Sequence, residues 1–135
     1  MKTKLNLAIF TLTLILFTSA CKKAEDSPAP AQVQITAQQN GQPVTLAKGQ
    51  TLEVTLQNPG DGLYSFDQPK YDAWVLRFVA HLHQGPTNNY IGNTGTDTWD
   101  FVAVRAGKTT LTITATRGSD ASTTATMLSN SVSVK

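Results

Sequence analysis

From Val33 to the C-terminus, apolar residues recur at every second position, and this alternation constrains the chain more than any other feature it has. Successive side chains of a β-strand point to opposite faces, so a period of two marks a strand with one face buried and one face wet. Val33, Ile35 and Ala37 show it, as do Leu52, Val54 and Leu56 between Glu53, Thr55 and Gln57. Trp99, Phe101 and Ala103 repeat the pattern, followed by Leu111, Ile113 and Ala115, and then Val132 and Val134. Asn40-Gly41, Lys48-Gly49 and Ala106-Gly107-Lys108 separate these runs and read as turns. About seven to nine short, threonine-rich strands without a helical pattern predict an all-β domain, a β-sandwich or a related two-sheet barrel. Ala73–Ala80 departs from the pattern, being apolar at nearly every position. It is expected to be a strand buried on both faces, or one with a greasy solvent face.

The alternation does not reach the first 32 residues. Lys2 and Lys4 precede an apolar run from Leu5 to Phe17, then Thr18-Ser19-Ala20 and Cys21. This is the tripartite pattern of an export signal over residues 1–20, and the run is too short for a comfortable transmembrane helix. Small residues ending at the sole cysteine resemble a bacterial lipobox, with Thr18 where leucine is commonest. Lipidation at Cys21 is therefore expected; an ordinary signal cleaved after Ala20 would instead leave a free thiol. Residues 21–32 are charged, polar and proline-containing, as a flexible tether is. The domain proper is expected at 33–135, exported and lipid-anchored to the cell envelope. The residues leave inner and outer membrane both open. The charges after Cys21 resemble a surface-export signal at the outer membrane, or are a solvated spacer. Lys2 and Lys4 account for the whole excess of 11 basic over 9 acidic residues. The remainder is neutral and carries no basic stripe, which removes the electrostatic basis for nucleic-acid binding.

No catalytic constellation is legible. His81 and His83 are two apart, so on a strand they share a face, but a metal would need a third ligand and no acidic residue is near them in sequence. Asp97 and Asp100 are three apart and point to opposite faces, so they do not form a carboxylate pair. No nucleophile elbow is present, and Gly92-x-x-Gly95 does not sit in a strand-to-helix turn that would cradle a phosphate. The chain is expected to be a monomeric non-enzyme without a metal or other cofactor.

Three loops then stand out in order: Asn58-Pro59-Gly60-Asp61-Gly62, Gly92-Asn93-Thr94-Gly95-Thr96 and Arg117-Gly118-Ser119-Asp120. Proline fixes its own φ and the flanking glycines allow tight turning, so the first is a short, shaped loop that any β-hairpin might carry. Taken together, the three loops resemble the chagasin family of cysteine-protease inhibitors, whose immunoglobulin-like sandwich carries Asn-Pro-Thr-Thr-Gly, Gly-x-Gly-Gly and Arg-Pro-Trp in three loops at one end. Asn58, Pro59 and Gly62 match the first motif, Gly92 and Gly95 the second in part, and Arg117 the third. Gly60 and Asp61 replace the two threonines, and Gly118 and Ser119 stand where proline and tryptophan are expected. The resemblance covers residues 33–135 and implies an immunoglobulin-like β-sandwich. It further implies that Asn58–Gly62, Gly92–Gly95 and Arg117–Ser119 enter the cleft of a papain-like cysteine protease and occlude it. The replacements imply weaker gripping, because glycine raises the cost of ordering a loop and a missing tryptophan removes an aromatic anchor. A second reading is an immunoglobulin-like surface module that binds glycan or another protein through exposed aromatics such as Tyr71, Trp74 and Tyr90.

Overall fold

The computed structural model describes residues 31–135. The expected export signal, Cys21 and all but the last two residues of the expected tether lie outside the described residues. Eight strands form: β1 (Val33–Thr36), β2 (Val44–Leu46), β3 (Thr51–Gln57), β4 (Tyr64–Phe66), β5 (Leu76–Gln84), β6 (Thr96–Ala103), β7 (Gly107–Arg117) and β8 (Ala125–Val134). They make two four-stranded sheets, ordered β1-β3-β6-β5 and β2-β8-β7-β4, facing each other as an immunoglobulin-like sandwich.

The alternation dictates this packing. Leu52, Val54 and Leu56 on β3 lie beside Phe101, Trp99 and Asp97 on antiparallel β6, and every one of these side chains is buried. Leu111, Ile113, Leu128 and Val132 are their counterparts in the second sheet, all fully buried. Burying side chains of this size contributes roughly 1.5–3 kcal/mol each, which makes the interdigitated inner faces the main source of stability. The first edge segment serves both sheets. β1 pairs parallel with β3, a short 3-10 turn at Ala37–Gln39 follows, and β2 then pairs parallel with β8. Asn130 fastens that crossing, its buried amide donating to the carbonyls of Gln39 at 2.6 Å and Gln42 at 2.7 Å.

Of the two readings open for Ala73–Ala80, the doubly buried strand fails and the greasy solvent face holds, with Phe78, Val79 and Leu82 exposed. Ala73 and Trp74 lie in a turn, and β5 starts at Leu76 as the edge of its sheet, exposed at every later position. Its only neighbour is β6, so one face and one edge meet solvent. The Asn58–Gly62 loop joins β3 to β4, which belong to different sheets, so it carries the chain across the top of the sandwich.

Candidate functional site

Strand register brings the three loops to one end. β3 finishes at Gln57, opposite Thr96 at the start of β6, and β5 finishes at Gln84, opposite the same Thr96. The first loop (58–63) and the second (85–95) therefore leave the first sheet side by side. In the second sheet Tyr64, where the first loop lands, pairs with Arg117, where the third loop (118–124) begins.

Asn58 ties the first two loops together. Its backbone N–H donates to the Gly95 carbonyl at 2.9 Å, and its own carbonyl accepts from the Thr94 hydroxyl. Its side-chain oxygen accepts from the Gly60 N–H at 2.8 Å. Pro59 then leads into a 3-10 turn over Gly60–Gly62, closed by Leu63 in the left-handed region at φ 63°. A β-carbon on Gly60 would stand 2.8 Å from the Asn58 side-chain oxygen. The glycine that replaces threonine is thus what allows Asn58 to fold back over its own loop. The second loop is held by Asn93, which donates to Asn88 at 2.7 Å and accepts from the Gly95 N–H at 3.2 Å. In the third loop Gly118 takes φ 57° and Asp120 caps a short turn, accepting from the Ser122 N–H at 3.0 Å and hydroxyl at 2.7 Å. Those two bonds hold the Asp120 carboxyl below the usual range.

Beneath the first loop lies a group the sequence did not announce. Asp97 is 3% exposed. Its carboxylate accepts from His81 at 2.7 Å, His83 at 3.0 Å and the Asn58 amide at 2.6 Å. Burial pulls its pKa up, yet the bonds from Asn58, His83 and His81 outweigh that and leave it lowered. A carboxylate only accepts, so both imidazoles present an N–H to it. His81 and His83 share a face as their spacing requires, and the acidic partner is supplied by the neighbouring strand. Each imidazole faces a different carboxylate oxygen. Among the described residues no three His, Cys, Asp or Glu side chains are placed to hold a metal ion together. The group borders an open cavity of about 670 Å³ between the sheets, lined also by Tyr64 and Phe66.

The anticipated contact residues are not equally available. Gly62, Gly92, Arg117, Gly118 and Ser119 are exposed, and Asn58, Pro59, Gly60, Asn93 and Thr94 are half-buried. Gly95 is buried. At φ +86° a β-carbon there would lie 2.0 Å from the Gln84 carbonyl oxygen, so Gly95 shapes the second loop and offers no surface. Large apolar side chains outside the family motifs are exposed at this end: Leu63 (69%) beside the first loop, and Ile91 (fully exposed) and Tyr90 (76%), the latter already an aromatic of the glycan-binding reading, on the second. The aromatics of the glycan-binding reading do not form one platform. Tyr71 packs edge-on against Phe101 at 5.2 Å. Trp74 lies near Arg105 at the end opposite the loops, because Val75 bonds to Val104 beyond the far end of β6.

A profile of the family described as chagasin family peptidase inhibitor I42 matches residues 45–132, from β2 to β8. The chain belongs to the chagasin family. Members of this family are binding modules that catalyse no reaction. Among solved structures it is similar to the cysteine protease inhibitor EhICP2 from Entamoeba histolytica, with a TM-score of 0.64 and 10% identity over 77% of this chain and 95% of that one. It is also similar to amebosin, with a TM-score of 0.58 and 19% identity over 78% of this chain and 99% of that one. At such identities the likeness concerns the fold. No curated protein matches the chain by sequence.

Proposed function

We propose that this chagasin-family domain inhibits papain-like cysteine proteases by occlusion. The first loop, Asn58–Gly62, lies nearest the catalytic thiol, while Gly92–Thr94 of the second and Arg117–Ser119 of the third grip the shoulders of the cleft. The observation that carries this reading is the emergence of all three loops at one end of the sandwich, with Asn58 bonded to Thr94 and Gly95. Because the domain has no tryptophan in its third loop, its apolar grip falls to Leu63, Tyr90 and Ile91, which are exposed at that end. We further propose that the domain works at the cell envelope, tethered through lipid on Cys21.

Titration of the purified domain against several papain-like proteases tests the first reading. Loss of hydrolysis at micromolar domain or below is expected, and D61R or R117A weakens it while circular dichroism stays unchanged. Full hydrolysis by every such enzyme would sink it. Metabolic labelling of the full-length chain with a radioactive fatty acid, compared with C21S, tests the tether: label on both chains or on neither refutes it.

A further inference from the structure

Asp97 is expensive where it stands. A carboxylate taken out of water costs several kcal/mol unless strong hydrogen bonds replace its hydration. The molecule supplies three donors, and two of them come from β5, the exposed edge strand. The third, Asn58, is the first residue after β3 and opens the first loop. Asn58 uses its whole side-chain amide here: the nitrogen donates down to Asp97, and the oxygen accepts from Gly60 at 2.8 Å. An asparagine amide can turn over, exchanging its donor and acceptor ends. A partner that only accepts removes that freedom, since the nitrogen must face Asp97 and the oxygen must face Gly60.

We propose that Asp97 is the positioning residue of the first loop. It orients the Asn58 amide, and through Gly60 it sets the course of Asn58–Gly62, while His81 and His83 hold the carboxylate from β5. The inference rests on the inhibitory reading for its biological use but not for its geometry. It extends the site below the loops to Asp97, which is itself buried. His81 does more than donate, because its ring also stacks on Trp99, with centroids 4.7 Å apart. The carboxylate is thereby linked to the fully buried centre of the sandwich. Tyr64, His81, His83 and Asp97 are the titratable groups lining the cavity, and no lysine, arginine or glutamate lines it.

The test compares D97A, D97N, N58D and the double variant N58D/D97N in the full chain, reading amide hydrogen exchange at Gly60 and Leu63 and inhibition of a papain-like protease. Core amides around Phe101 report whether the fold survives, and the near-isosteric D97N remains informative if D97A does not fold. Exchange at Gly60 is expected to rise about ten- to a hundredfold in D97A and D97N, the loss of one charge-assisted buried bond. N58D alone sets two carboxylates against each other and loosens the loop at least as much. The double variant reverses the pair, giving an amide donor at 97 and an acceptor at 58, and restores slow exchange to within a few-fold of the parent. A merely structural aspartate would not be rescued by that exchange of groups. Unchanged Gly60 exchange in D97A and D97N, or a double variant no better than the single ones, overturns the proposal. If the parent inhibits no protease while the exchange pattern appears as expected, the positioning role stands and the inhibitory reading falls.

Discussion

His81 lies flat against Trp99, with ring planes 4° from parallel and centroids 4.7 Å apart, while its Nε2 donates to Asp97 at 2.7 Å. Stacking and hydrogen bonding at one residue separate cleanly by substitution. H81F keeps the stack and loses the donor; H81A loses both. H81F is expected to cost about 1.5–3 kcal/mol, the range for a hydrogen bond to a charged group. H81A should cost about 1 kcal/mol more, the contribution of an aromatic pair. Urea denaturation of the three proteins checks both, and equal stability of H81F and wild type would remove the bond from the account.

The lowered pKa of Asp97 sets a pH dependence. A carboxyl whose folded pKa is below its unfolded value contributes stability that is fully present above the unfolded pKa. That stability is lost as pH falls through the folded pKa. The stability difference between wild type and D97N is therefore expected to be constant above about pH 4 and to shrink below it. Melting temperatures of both proteins between pH 7 and pH 2 measure it, and a difference that grows in acid contradicts the assignment.

Gly95 and Gly118 both adopt positive φ, yet their surroundings differ. A β-carbon at Gly95 would meet the Gln84 carbonyl oxygen at 2.0 Å, whereas one at Gly118 has nothing within 4 Å. G95A should cost about 3 kcal/mol or more, through backbone displacement as well as conformational strain. G118A pays only the left-handed conformation, about 1 kcal/mol. Chemical denaturation ranks them, and similar costs would show that the second loop relaxes freely.

Leu63 holds the left-handed conformation while 69% exposed. Glycine relieves about 1–2 kcal/mol of strain there and gives back roughly 0.5–1 kcal/mol through unfolded-chain entropy. L63G is thus expected to be neutral or slightly stabilising, although it weakens protease inhibition by removing an apolar contact. Parallel melting and inhibition assays decide whether the side chain is there for a partner; a loss of 2 kcal/mol or more in stability would show that it is there for packing.

Asn130 is fully buried and donates to two carbonyls. N130D has a similar shape but offers at most one proton and otherwise sets a charge against two acceptors. A loss of about 3 kcal/mol or more is expected, larger at pH 8 than at pH 4. A loss independent of pH would mean that the site admits water.

Much of the core was legible. Leu52, Val54 and Leu56, Trp99, Phe101 and Ala103, and Leu111, Ile113 and Ala115 are buried as their spacing requires, because each strand keeps one face to the opposite sheet. For β5 the residues left a doubly buried strand and a greasy solvent face both open, because composition does not distinguish a central strand from an edge. Phe78, Val79 and Leu82 are apolar and at least one-third exposed, on a strand whose place is set by what lies beside it. Motif order points to the Asn58 loop, Gly92 and Arg117 as candidates. The carboxylate below them is not legible that way, since His81, His83 and Asp97 are separated by a loop and meet only through strand register.

The sequence by itself determined that this chain folds as a two-sheet all-β domain, which residues form its core, and which loops carry the family's motifs. These follow from local periodicity and turn chemistry, which act over a few residues. Only the tertiary structure decided that Asn58–Gly62 crosses between sheets, that Gly95 is buried and offers no surface, and that Asp97 anchors Asn58. Those relationships join residues 11 to 39 positions apart in the chain, from Gly95 against Gln84 to Asp97 against Asn58. They depend on sheet order and register, which arise when both inner faces are buried together.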